Sequence, residues 1–204
     1  MPEVVYVVLV DGKSTRVIPQ ERKTDPGPTA LERVGKLVED HAVTVVAEHG
    51  ISAAAASGAM PLAHVLLAVN PLLGMAASVA MASRSIDPEA TVGVLSPNQA
   101  GVRKDTLARC ERAFESSGCD AAYPVAGGQA GYPVYLSPDA RRRLESMPEG
   151  DLLKAVRDDQ SISKLAVECR DVGIYVDLGT PEGRRDAERR LATEAPSLDR
   201  SAKG

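Results

Sequence analysis

The sequence predicts an α/β fold built on a mostly parallel, twisted sheet, and three observations carry that expectation. Residues 4–10, V-V-Y-V-V-L-V, form an unbroken apolar run rich in β-branched side chains, the pattern of a strand covered on both faces. After a break at residues 25–28 (D-P-G-P), Leu31, Val34, Leu37 and Val38 fall on one face of an amphipathic helix. A second apolar run, 43–47, follows, and strand, helix, strand is the unit of a parallel sheet with a right-handed crossover.

The totals bound the rest. A chain of 204 residues that is 44% hydrophobic suffices for one full-sized domain, expected over 1–192 with a frayed polar tail at 193–204. With no Trp and one Phe, aliphatic side chains must fill the core. A net charge of -4 with signs interspersed, and no dense basic block, argues against a nucleic-acid surface. No uninterrupted apolar stretch reaches transmembrane length and the N-terminus lacks a secretory pattern, so a cytoplasmic protein with no membrane contact is expected. Cys110, Cys119 and Cys169 are odd in number and lack C-x-x-C spacing, which favours buried or incidental thiols over disulfides or zinc.

The elements then follow in order. Thr29 is placed to cap a helix over 30–40. The second strand ends at His49-Gly50, and the Ala-, Ser- and Gly-rich stretch 51–60 reads equally as a short helix or a loop. A third strand at 64–69 ends in Asn70-Pro71, and Gly74 precedes a helix of small residues reaching about 83. A fourth strand, 91–95, is followed by a helix over 103–116 with Leu107, Cys110 and Phe114 inward. Glycines at 127, 128 and 131 lead into a further strand. A helix over 139–147 carries three successive arginines, read as a solvated face. A helix at 152–156 and strands at 164–168 and 173–176 come next, and Thr180-Pro181-Glu182 caps a helix over 181–191.

Chemistry concentrates where the first strand ends. Gly12 to Arg16, G-K-S-T-R, is small, polar and cationic, so it presents backbone N–H groups, a Lys and an Arg to an anion just beyond the carboxyl end of a strand. It is neither a Walker A loop nor a G-x-G-x-x-G fingerprint. Leu9, Gly12, Ser14 and Arg16 resemble the opening signature L-A-[AG]-G-x-[SG]-x-R of the molybdenum-cofactor (MobA/MocA-type) nucleotidyltransferases, with Lys23 the counterpart of its Lys. Asn70, Pro71, Gly74, Met75, Ser78 and Val79 repeat a second block of that family, Gly127, Gly128, Gly131 and Pro133 a third, and Asp177, Thr180, Pro181 and Glu182 a fourth, all in the family's order. Strand-to-helix punctuation, a plain hairpin and an ordinary helix cap account for the same residues locally.

The resemblance implies a Rossmann-like three-layer sandwich with helices on both sheet faces. It also implies transfer of a nucleoside monophosphate from CTP or GTP to a phosphorylated, molybdopterin-type acceptor, releasing pyrophosphate. In that frame Arg16 and Lys23 act on the triphosphate. Leu9, Gly12, Lys13, Ser14, Asn70, Gly74 and Ser78 hold the nucleotide, and Gly128, Gly131 and Tyr132 the acceptor. Mg²⁺ is the implied cofactor, with Asp11, Asn98 and Asp177 around it. The sequence departs from the family where the metal should bind: Asn98 stands for its Asp, Gly179 for a second polar ligand, and Asp11 for Ala or Gly. A silent relative acting as a binding protein, or a sugar-phosphate or methylerythritol-phosphate nucleotidyltransferase, are the alternatives; the Arg16-to-Lys23 spacing resembles the methylerythritol type. A homodimer or a molybdoenzyme-related protein is the candidate macromolecular partner.

Overall fold

The computed structural model describes residues 3–11, 29–68, 74–99, 101–144, 151–177, 180, 182–183 and 185. Its sheet runs in the order β3-β2-β1-β4-β7-β5-β6, with β8 beside β5. The strands are β1 (Val4–Val10), β2 (Ala42–Ala47), β3 (His64–Leu67), β4 (Thr91–Leu95), β5 (Ala121–Ala126), β6 (Gln129–Ala130), β7 (Val134–Leu136) and β8 (Lys164–Glu168). The helices are α1 (Ala30–Leu37), α2 (Gly50–Ala59), α3 (Gly74–Ser83), α4 (Lys104–Ser117), α5 (Pro138–Leu144) and α6 (Leu152–Asp158). β1 to β4 pair in parallel, as does β5 with β8, whereas β7 runs antiparallel between β4 and β5. The α/β expectation, mostly parallel in its core with helices on both faces, is met.

Each element has a local cause. Thr29 and Glu32 close a reciprocal capping box on α1, Glu32 N–H donating to Thr29 Oγ1 at 3.1 Å and Thr29 N–H to Glu32 at 2.6 Å. α4 ends at Gly118 in the left-handed conformation, φ 65°, which glycine adopts without steric penalty. Residues 51–60, undecided from sequence, fall in α2. β1 passes up the middle of the sheet, and its alternate side chains face opposite layers. Tyr6 reaches Glu111 of α4, and Val8 alternates onto the same face. Leu9 faces α3, and Val7 shares its face.

The α4 side is organised by a buried polar cluster. Tyr6, Gly93 and Tyr135 lie in one register row across β1, β4 and β7. Because Gly93 has no side chain, the two tyrosine rings meet over it, centroids 6.2 Å apart and edge to face, with hydroxyl oxygens 2.7 Å apart. Tyr6 donates to Glu111 of α4 at 2.5 Å, and His41 Nε2 lies 3.2 Å from the same carboxylate. Burial, reinforced by Tyr135 and Glu111, raises the Tyr6 phenol far above its ordinary pKa and keeps it a neutral donor. Cys110, on the buried face of α4, has its thiol pushed up to about 12 by burial, the mark of an inert core cysteine.

Two local expectations are corrected. Arg141 to Arg143 do not share one solvated face: Arg141 is buried, its guanidinium donating to the carbonyls of Ala90 (2.5 Å), Asp87 (3.0 Å) and Ser83 (3.2 Å). α5 is thereby clamped to the C-terminal end of α3 and the entry to β4. Helical periodicity, not charge, decides which of three adjacent arginines turns inward. Residues 173–176 do not form a strand either; a 3-10 turn, Val172–Ile174, takes their place, capped by Asp171, whose carboxylate accepts from Gly173 N–H at 2.9 Å. An Asx turn at the start of an apolar run outweighs β-propensity there. Among the described residues, no helix is long and apolar enough to cross a membrane.

Two stability outcomes follow. A Cβ on Gly93 would stand 2.7 Å from Tyr6 Cε1, so Gly93→Ala is expected to cost about 1–3 kcal/mol in a urea titration, as overpacked cores do. Arg141→Met would strand three carbonyls in an apolar layer and is expected to cost at least about 2 kcal/mol in the same assay. Stability within a few tenths of wild type in either variant would contradict the packing described.

Candidate functional site

Strand register builds the site. Leu9 of β1 stands opposite Val46 of β2, which stands opposite Leu66 of β3, and two residues further along the same face come Asp11, Glu48 and Ala68. Glu48 N–H donates to Val10 carbonyl at 3.0 Å and Ala68 N–H to Ala47 carbonyl at 2.9 Å, so the ladder continues past the formal strand ends and fixes these positions. On the other side of β1, Ser96 follows Leu95, the partner of Val8, and so comes level with Leu9. Parallel strands thus deliver an apolar floor and a polar rim to one edge of the sheet, at their carboxyl ends.

A cleft of about 170 Å³ opens there, lined by Leu9, Val10, Asp11, Val46, Glu48, Ala68, Gly74, Met75, Ser78, Ser96 and Asn98. α3 forms its wall. Gly74 begins that helix at φ 81°, a conformation in which a side chain is strained, which gives the glycine a backbone reason. Ser78 donates back to Gly74 carbonyl at 3.1 Å. Asn98 sits in a 3-10 turn, Pro97–Gln99, its N–H donating to Ser96 Oγ at 3.2 Å; the turn carries the chain away from β4 so that residue 98 lines the cleft.

Of the residues singled out from sequence, Leu9, Asp11, Gly74, Ser78 and Asn98 come together in this one cleft. Gly12, Lys13, Ser14, Arg16, Lys23 and Asn70 lie outside the described residues. Asp177 is described but is not part of the cleft lining; its carbonyl accepts from the N–H of Thr180 at 3.1 Å and from its hydroxyl at 2.9 Å. Among the described residues, no three His, Cys, Asp or Glu side chains gather as a metal cluster. Glu48, Ser96, Val46 and Ala68 were not anticipated; counting past each strand end in steps of two would have found Glu48.

The acceptor residues divide. Gly127 and Gly128 form the tip of the β5–β6 hairpin with φ of 58° and 81° and open space around them. Gly131 is held by contact: a Cβ there would come within 2.2 Å of Ile174 carbonyl oxygen. The same carbonyl accepts from Tyr132 N–H at 2.8 Å. Tyr132 is buried, and its hydroxyl donates to Met75 Sδ at 3.4 Å, which ties the segment after the hairpin to the cleft wall. Burial, then the nearby Asp151 carboxylate, raises its phenol, so it remains protonated.

Comparison with known proteins agrees with this architecture. The sequence profile of the MobA-like NTP transferase domain matches residues 7–165. Rv0371c from Mycobacterium tuberculosis H37Rv, solved as a complex with manganese, superposes with a TM-score of 0.69 at 19% identity, covering 92% of this chain and 98% of that one. Molybdopterin-guanine dinucleotide biosynthesis protein A from Archaeoglobus fulgidus gives 0.68 at 17%, covering 93% and 99%. The 4-diphosphocytidyl-2C-methyl-D-erythritol synthase from Anaerococcus prevotii gives 0.73 at 10%, covering 94% and 96%. These likenesses are of fold. No curated protein matches the chain significantly. The matched span takes in the second half of β1, the α3 wall and the hairpin that Tyr132 ties to it, and the chain belongs to the MobA-like NTP transferase family.

Proposed function

We propose that this protein is an active nucleotidyltransferase that moves a nucleoside monophosphate from a nucleoside triphosphate, GTP or CTP, to a phosphorylated acceptor of the molybdopterin type. The observation that carries this reading is the single cleft at the carboxyl ends of β1, β2 and β4, which collects five of the residues expected to hold a nucleotide or its metal. In the reaction a terminal phosphate oxygen of the acceptor attacks the α-phosphorus. The bond from that phosphorus to the bridging oxygen breaks, and pyrophosphate leaves with the electron pair. Little covalent work falls to the protein, so catalysis rests on alignment and charge neutralisation. Arg16 and Lys23 supply positive charge on this reading, and N–H groups of Gly12 to Ser14 supply fixed donors.

The donor set of the cleft fits a divalent ion that arrives with the triphosphate. Mg²⁺ is satisfied by one or two carboxylates plus substrate phosphates and water, and Asp11 and Asn98 offer one carboxylate and one amide oxygen there. Held by Asp11 and Asn98, such an ion would neutralise polyanion charge. Asp11 then has a definite role. Alone, a carboxylate about 4 Å from a phosphate charge opposes binding by about 4 kcal/mol at an effective dielectric near 20.

With Mg²⁺ and GTP or CTP at a hundredfold excess over Kd, thermal denaturation is expected to show stabilisation by about 3 kcal/mol; no response to any of the four triphosphates would refute the proposal. Asp11→Asn is expected to weaken binding at least about tenfold with Mg²⁺ and to leave it equal or tighter with EDTA, as read by titration calorimetry. Equal weakening under both conditions would remove Asp11 from the metal.

A further inference from the structure

We propose that Glu48 selects guanine, accepting hydrogen bonds from the N1–H and the N2 amino group of a GTP base lying on the apolar floor of the cleft. This rests on the triphosphate reading above and narrows it to one donor. Three observations support it. Glu48 lines the cleft, half-buried, and makes no side-chain hydrogen bond or ion pair among the described residues. Its backbone is fixed by the bond from its N–H to Val10 carbonyl, so the carboxylate is delivered from a rigid strand end rather than a loop. The floor beside it, Leu9, Val46 and Ala68, is apolar and in register, a surface that accepts the face of a base while leaving its edge to Glu48.

The chemistry then discriminates. A partly desolvated carboxylate left without a donor is costly, so its partner must supply donors. Guanine presents two adjacent donors on one edge, which suits the two oxygens of a carboxylate. Cytosine offers its N4 amino group beside the N3 lone pair, and adenine its N6 amino group beside the N1 lone pair. Uracil offers N3–H between two carbonyls. Each of these places an acceptor against one carboxylate oxygen. The opposing strand-end carboxylate, Asp11, occupies the same row and is left to the phosphates and their ion.

The test is titration calorimetry of the full chain with GTP, CTP, ATP, UTP and inosine triphosphate, which lacks the N2 amino group, each with and without Mg²⁺. Wild type is expected to bind GTP at least about tenfold tighter than the other three standard triphosphates and inosine triphosphate several-fold weaker than GTP. Glu48→Gln, isosteric and therefore safe for folding, and Glu48→Ala are expected to bring GTP and inosine triphosphate to equal affinity and to erase the preference over CTP. A wild-type preference for another base, or a GTP preference unchanged in both variants, overturns the base assignment while leaving triphosphate binding intact. Variants that lose all five triphosphates equally, and only with Mg²⁺, would make Glu48 a metal ligand and likewise overturn it. Wild type that binds none of them removes the triphosphate reading itself, and this inference with it.

Discussion

The alignment of β1 between β2 and β4 is the constraint from which the site follows. Side chains alternate along a strand, so a slip of one residue would turn Leu9 and Asp11 to the α4 side of the sheet and away from the cleft they line. A buried row holds the register: Tyr6 fits over Gly93 and reaches Tyr135 only when β1, β4 and β7 are aligned as they are, and Glu111 of α4 accepts a hydrogen bond from the Tyr6 hydroxyl. Displacing that row would leave phenol and carboxylate groups without partners in an apolar layer, which is expensive in a low-dielectric interior. The polar cluster on one face of the sheet thereby fixes which residues rim the cleft on the other.

The wall of the cleft is positioned from both of its ends. At its start, α3 takes up the positive φ of Gly74, and at its last turn Arg141 collects the Ser83 carbonyl together with those of Asp87 and Ala90. Met75 meets the Tyr132 hydroxyl, and Tyr132 in turn hangs on Ile174 carbonyl through its backbone N–H. Gly131 allows that approach because it has no Cβ to collide with Ile174. The segment that the family resemblance assigns to the acceptor is thus in mechanical contact with the wall of the proposed nucleotide cleft. A transferase that must align two substrates needs such a connection, since small misplacements of reacting groups are costly in rate.

What the sequence made legible was whatever rests on period and punctuation. The parallel strands, α1 with its cap, the buried side of α4 and the meeting of Asp11 with Asn98 could all be reached from apolar runs, turn residues and motif order. Partnership across space could not. Nothing local distinguishes Arg141 from Arg142, yet it is Arg141 that is buried against three carbonyls; nothing in G-I-Y-V foretells that Asp171 would cap it into a 3-10 turn. Glu48 was hidden differently, as an unremarkable acid after a strand, and only the register across three strands puts it in line with Asp11 and Ala68.

The proposed assignment also accounts for two carboxylates in a cleft that would hold a polyanion. Neighbouring strands lie about 4.8 Å apart, so Asp11 and Glu48, in the same row and one strand apart, repel each other and any phosphate set between them. The arrangement is stable in function only if the two acids address different parts of one ligand. A triphosphate nucleotide is such a ligand: its phosphate end carries a divalent ion that a carboxylate attracts, and its base end, when guanine, carries two adjacent donors that a carboxylate accepts. On this assignment the Asn at position 98, a poor substitute for a charged metal ligand, ceases to be a defect. The proposal places the metal-binding carboxylate at the end of β1 rather than of β4, so that Asp11 would hold the ion from the neighbouring strand.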